Sequence, residues 1–203
     1  IYAGAHVPWF GLQLFNGNSL VGARRDVFAT AQLSPGRGEG GHAERDWRCA
    51  VPRALAMKMA PAATDIFHFL LPADGMAACT DKIVKALEPA AFERLKIWRK
   101  EFCKPLNEGE VARAQTLSAG VEALWQQHAA ELARVREATN DELHVWPDPA
   151  PNLAPLSTRQ KDDIFKREML SERARNASPY RRLKLAMDAW CALWSWPLTS
   201  DIE

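Results

Sequence analysis

The run from Phe10 to Arg25, FGLQLFNGNSLVGARR, holds the residues of this chain whose types and spacing can do chemistry. Asn16-Gly17-Asn18 is built for a tight turn that needs positive φ. Before it, Phe10, Leu12 and Leu14 alternate with smaller or polar residues, a pattern that predicts a strand. Asn18 and Ser19 then fall at the carboxyl end of that strand, where open α/β sheets bind their ligands. Short side chains and a bare glycine backbone let a planar ligand come close. Arg24 and Arg25 follow within a few residues and can face phosphate. A structural turn after an edge strand accounts for the same residues without a ligand, and residue chemistry alone leaves both readings open.

Other reactive side chains are scattered. His6, His42, His68, His128 and His144 include no pair at helical ligand spacing, so no metal site is expected. Cys49, Cys79, Cys103 and Cys191 form no Cys-x-x-Cys pair and are expected to be reduced thiols. The glycines of residues 34–41, SPGRGEGG, suggest a phosphate loop only superficially: no convincing strand precedes them and no helix start follows. A surface loop is the expectation there. There is no Ser or Cys elbow, no His-Glu zinc motif, no Walker loop and no standout carboxylate couple, so no catalytic residue is assigned.

The chain has 203 residues, 47% of them hydrophobic, with a net charge of +1. That apolar content can fill a sizeable core. The balanced charge gives no global drive toward nucleic acid or membrane. No apolar run approaches the ~18 residues needed to span a bilayer, and the start does not read as a signal peptide. A cytoplasmic protein with no membrane partner is expected. The chain opens on Ile1 almost directly into the first strand candidate, as a piece of something longer would. Neutrality hides a segregation. Residues 157–184 carry nine Lys/Arg against four acids, net +5, while residues 108–148 carry three Arg against eight acids, net −5.

The elements that must position these groups are mostly helical. Asp65–Leu71 predicts a second, buried strand stopped by Pro72, with His68 a core or edge histidine rather than a base. Residues 50–63 are ambiguous. Thr80 can cap a short helix through Ile83, Val84 and Leu87, and Pro89 can open the next as its first residue. That helix carries Phe92, Leu95 and Phe102, ends before Pro105, and is basic at Lys96, Arg99, Lys100 and Lys104. With Trp98 it can track a nucleic-acid backbone and stack a base. A solvated face with Trp98 in the core is the alternative.

Glu108 to about Thr139 predicts the longest helix, about 45 Å, with Leu117, Val121, Leu124, Trp125, His128, Leu132 and Val135 as its apolar stripe. The preceding helix is its natural antiparallel neighbour, giving a long helical hairpin. Residues 146–155 hold four of the thirteen prolines and read as an extended connector. Ser157 or Thr158 can cap a helix holding Ile164, Phe165 and Met169. Ser178 and Pro179 start the last helix, whose apolar arc, including Leu183, Leu185, Met187, Trp190 and Trp194, covers more than half its circumference. Arg181, Arg182 and Lys184 occupy its first turns, where cations gain nothing from the helix dipole. Phosphate binding and docking on the acidic helix are equal explanations. The expected fold is mainly α with one or two β-strands, a helical insertion region with a long helical hairpin.

Two stretches carry a resemblance. NGNSLVGARR resembles the segment after the third conserved strand of large adenine-specific DNA methyltransferases, the modification enzymes of restriction-modification and phage-defence systems of the BREX and DISARM type. Residues 179–197, PYRRLKLAMDAWCALWSWP, look like the stretch such enzymes carry before their catalytic Asn-Pro-Pro-aromatic motif. The resemblance implies an internal region of such an enzyme. Residues 1–29 would be a strand and turn of the methyltransferase core, 30–63 a loop-rich connection, and 64–145 a strand plus helical arm. Residues 146–156 would be the connector and 157–203 basic C-terminal helices. It further implies that Asn16, Asn18 and Ser19 line the S-adenosylmethionine site, Asn18 toward the adenine. The family often has Asp at that place.

Arg24, Arg25, Arg181, Arg182 and Lys184 are the expected contacts to duplex DNA, on charge pattern rather than family motif. The remaining methyltransferase domains would be partners. The family's donor-binding glycine turn and its Asn-Pro-Pro motif do not occur here, so the chain alone is expected to be inactive. A non-catalytic helical protein-interaction module is the alternative reading.

Overall fold

A computed structural model describes residues 9–14, 21–33, 47–56, 59–79, 81–140, 156–171 and 178–195. Among them the protein is mainly helical, as expected, with one small antiparallel sheet. In chain order the elements are β1 (Asp26–Ala29), β2 (Arg53–Ala54), β3 (Asp65–Phe67), α1 (Lys82–Leu87), α2 (Pro89–Phe102), α3 (Glu108–Thr139), α4 (Thr158–Met169) and α5 (Pro179–Ala192). Short 3₁₀ turns follow β1, β3 and α5 at Thr30–Gln32, His68–Leu70 and Leu193–Ser195. The chain divides into two compact units. One comprises Ile1–Asn18 and Leu124–Arg182, the other Ser19–Ala123 and Leu183–Glu203.

The second unit holds the sheet, ordered β2-β1-β3. In register, Val27 faces Arg53 on one side and Phe67 on the other, and Phe28 faces Ile66. Val27, Ile66 and Phe67 are at most 1% exposed, which makes this strand pair the core rather than a surface ribbon. Phe28, Leu33, Trp47, Ile66, Leu71 and Ala114 form one buried cluster, so the first half of α3 reaches the sheet. Asp65 is buried because its carboxylate is satisfied: Arg53 Nη2 donates to it at 2.5 Å and the Ala62 amide at 2.8 Å. Ser118 of α3 closes the outer edge of β3. Its hydroxyl donates to the Asp65 carbonyl at 3.0 Å and accepts from the Phe67 amide at 3.4 Å. An edge strand left with those groups open would invite further pairing.

Helix boundaries follow local chemistry. Asn107 and Glu110 form a reciprocal capping box at the start of α3, with bonds of 2.9 and 2.8 Å. Ser157 caps α4 with Gln160, and the Ser178 hydroxyl accepts from the Arg181 amide at 3.3 Å one turn into α5, behind Pro179. At α1 the cap is Asp81, accepting from the Ile83 and Val84 amides, while Thr80 lies outside the described residues. α2 opens on Pro89 and packs on α1.

Three expectations need correction. Residues 10–14 are a turn, not a strand: the Gln13 and Leu14 amides both donate to the Phe10 carbonyl. Gly11 permits this closure, since a Cβ there would meet the Trp9 ring at 2.3 Å. The strand instead begins after the arginine pair, at Asp26. The apolar stripe of α3 is also displaced in its first half, where Leu117 is 53% exposed and Ala114 and Ser118 face inward. Finally, the apolar arc of α5 is only partly covered, with Leu183 buried and Leu185 71% exposed.

In the first unit, Val135 of α3 is 1% exposed and Lys161 of α4 is buried. The Trp9 indole donates to Asp162 at 2.8 Å and its ring meets Phe165 edge-on. Arg134 pairs with Glu168 at 2.9 Å. The acidic helix thus gives a cation to an acid of the basic segment, the reverse of the docking that net charge suggests.

Candidate functional site

Asn16, Asn18 and Ser19 lie outside the described residues, as do the glycine-rich loop and the proline-rich connector. The arginines that follow the turn are described, and they part company. Arg25 is held within the fold: Nη2 donates to both carboxylate oxygens of Glu122 at 3.0 and 2.8 Å, and Nη1 donates to the Met59 carbonyl at 2.8 Å. One guanidinium nitrogen shared by both oxygens of a largely buried carboxylate is a structural tie between the start of β1 and α3. Arg24 is exposed. Its backbone is engaged at the His68 ring, whose Nε2 lies 3.0 Å from the Arg24 amide nitrogen and 3.1 Å from the Arg24 carbonyl oxygen.

Arg181 and Arg182 are exposed on the first turn of α5, and Lys184 pairs with Asp188 one turn on at 2.5 Å. Trp98 of α2 stacks on Phe102 of the same helix, with centroids 4.6 Å apart and planes 14° from parallel.

Arg24 stands at a cleft of about 570 Å³ within the second unit. Its floor is the backbone that leaves β3. There the indole nitrogens of Trp190 and Trp47 donate to two successive carbonyls, Leu71 and Pro72, each at 3.0 Å. With their N–H groups committed to backbone, both rings are fixed in place and contribute apolar surface. Trp194 continues the wall, its ring 5.6 Å from that of Trp190 and inclined by 71°. Gly75 makes room for it, because a Cβ there would come within 2.8 Å of the Trp194 ring. The turn that carries Gly75 includes Ala77 at φ 49°, a left-handed conformation costly for alanine.

Among the described residues, the charge at the cleft is two guanidiniums and one carboxylate: Arg24, Arg48 and Asp74. Arg48 lies 5.2 Å from the centroid of the Trp47 ring and donates to the Cys103 carbonyl at 3.1 Å. His68 meets Trp190 edge-on at 4.9 Å. Burial holds the His68 imidazole below its ordinary range, opposed by its bond to the Arg24 backbone and by the Asp26 charge, with the Arg24 charge adding to the depression. Nε2 lies within reach of both the amide and the carbonyl of Arg24, so the tautomer sets which of the two it engages. Burial likewise raises the Cys103 thiol, so it is not a nucleophile poised for reaction.

The sequence singled out Arg24 and His68 but not the three tryptophans or Asp74 as a group. They come from four separated stretches, so no spacing announces them. Among the described residues no cluster of His, Cys, Asp and Glu suits a metal ion, and no helix is long and apolar enough to cross a membrane. All four cysteines are free.

Compared with known proteins, the chain matches no family model, no curated protein and no solved structure.

Proposed function

We propose that this chain is a region of an S-adenosylmethionine-dependent adenine-specific DNA methyltransferase of the restriction-modification and phage-defence type, contributing one edge of the cofactor site. The observation that carries this reading is the pair of resembling stretches, residues 16–25 and 179–197, in the order of the parent enzymes. In it, Asn16, Asn18 and Ser19 approach the adenine end of the cofactor. Exposed Arg24, Arg181 and Arg182 meet DNA phosphates, while Arg25 braces the fold through Glu122. Lys184 is a weaker phosphate contact, since Asp188 already neutralises part of its charge. Catalysis belongs to motifs this chain lacks, so it does not turn over alone.

The test is a salt titration of duplex DNA binding, followed by fluorescence anisotropy. Removing one phosphate-binding cation should lower the slope of log K against log salt by about 0.9. Arg181→Glu with Arg182→Glu is expected to abolish measurable binding at moderate salt. Unchanged affinity, or no binding by the parent sequence at low salt, contradicts the reading.

A second reading rests on a different observation. Ile83, Val84 and Leu87 of α1 and Ile97 of α2 are 44–72% exposed on one packed pair of helices. Such a patch fits a non-catalytic module that binds another protein. Loss of a partner on changing Ile83 and Leu87 to Ser, with DNA binding absent throughout, would favour it.

A further inference from the structure

The geometry points to the cleft between the exit of β3 and the end of α5 as a binding site for a nucleotide unit, an aromatic base carrying a phosphate. The chemistry of the cleft carries this by itself, whether or not the chain belongs to a methyltransferase.

Three of the chain's eight tryptophans converge here, although they lie at positions 47, 190 and 194. Two have their polar edges tied to the Leu71 and Pro72 carbonyls, so they need no partner from a ligand and cannot reorient without losing those bonds. Trp194 differs. It is 43% exposed, and it rests on Gly75, where no side chain competes for the space. An indole in that state offers a flat surface to a planar partner, and stacking of a base on such a ring is tolerant of base identity.

The cations supply the second half of the recognition. Arg24 is exposed at the cleft, and the Arg48 guanidinium is held beside Trp47, with Asp74 the one carboxylate among the described residues that line it. The preference is therefore for an aromatic group bearing negative charge. A neutral nucleoside satisfies the rings but not the arginines, inorganic phosphate does the converse, and a cationic adenosine derivative is disfavoured. A volume of about 570 Å³ suits one nucleotide rather than a duplex.

A free mononucleotide and one nucleotide of a single strand share this chemistry. Isothermal titration calorimetry on the full chain distinguishes them, using deoxyadenosine monophosphate, deoxyadenosine and a short single-stranded oligodeoxynucleotide of adenines as probes. Both phosphorylated probes are expected to bind, and deoxyadenosine to bind at least fivefold more weakly. A tighter oligonucleotide assigns the site to a strand, and a tighter mononucleotide to a free nucleotide. Trp194→Ala should weaken either by about tenfold, the loss of one stacked ring.

Arg24→Ala should weaken the phosphorylated probes about fivefold and leave deoxyadenosine unchanged. As Arg24 is exposed, that variant also guards against a Trp194 variant that fails to fold. Arg94→Ala on α2 serves as the control that should change nothing. No binding of either phosphorylated probe, equal binding of deoxyadenosine, or indifference to both Trp194 and Arg24 overturns the inference. Since Arg181 and Arg182 do not line the cleft, failure here leaves the duplex-DNA test on those residues standing.

Discussion

Two nearby stretches of the same unit, Asp65–Met76 and Lys82–Leu87, are both rich in large apolar residues and come to opposite ends. In the first, Ile66, Phe67, Phe69, Leu71 and Met76 are all at most 4% exposed, and backbone groups of Asp65, Phe67, Leu71 and Pro72 are taken by side chains from α3, α5 and Trp47. In the second, no residue is buried, and Ile83 and Leu87 are about as exposed as a surface lysine. α1 is held by its Asp81 cap, by packing on α2 and by Lys85 over the Phe92 ring. The difference teaches that apolar content does not decide which segment becomes core. Asp65–Met76 is recruited because its polar groups find partners at the same time as its side chains. α1 keeps an apolar face that the described residues do not cover.

Substitutions can break that contrast. Phe67→Ala, in a fully buried ring stacked on Phe69, is expected to cost about 3–5 kcal/mol, whereas Leu87→Ala should stay within about 0.5 kcal/mol. Chemical denaturation followed by circular dichroism measures both. A comparable loss at Leu87 would mean that α1 is packed after all.

The two arginines after the turn allow a finer version of the comparison. Arg25→Ala removes the charged bonds to the Glu122 carboxylate and the bond to the Met59 carbonyl and should cost about 1.5–3 kcal/mol, while Arg24→Ala should leave stability nearly unchanged and act on binding instead. Equal effects on stability would undo the division of roles between neighbours.

The smallest expected effect is on pH dependence. His68 and His128 both have imidazoles held by burial below the ordinary value of 6.5. The unfolded chain therefore takes up protons first as pH falls through about 6.5, and stability drops from there toward the lower folded values. Above pH of about 7 the contribution is constant. His68→Gln and His128→Gln should each flatten this part of the profile. Stability that rises as the solution is acidified through that range would contradict the lowering of these imidazoles by burial.

What could be read from the residues alone was the local grammar. Periodicity bounded α3, and Pro89, Ser157 and the Ser178-Pro179 pair marked helix starts, because caps and φ restrictions act within a few residues. Elements that depend on distant partners were hidden. β1 is four residues, Asp-Val-Phe-Ala, with both central side chains buried, so it shows no alternation. The alternation of Phe10, Leu12 and Leu14 is real but makes no strand, because Gly11 lets the chain fold over under Trp9. Ser118 could not be recognised as an inward residue because its place depends on the open edge of β3. The cleft was invisible for the same reason, its rings being drawn from both ends of the unit. Arg24 was legible as a candidate, but nothing local separated it from Arg25, whose partner lies 97 positions away.

The methyltransferase reading is tested most directly by methyl transfer. The protein encoded by the complete reading frame that contains this chain should move labelled methyl groups from S-adenosylmethionine to adenine in duplex DNA. Asn18→Ala should cut that transfer by tenfold or more through a weakened cofactor contact, seen as a raised KM for S-adenosylmethionine. Absence of transfer by the complete protein, or full activity with an unchanged KM in the Asn18 variant, would contradict the account.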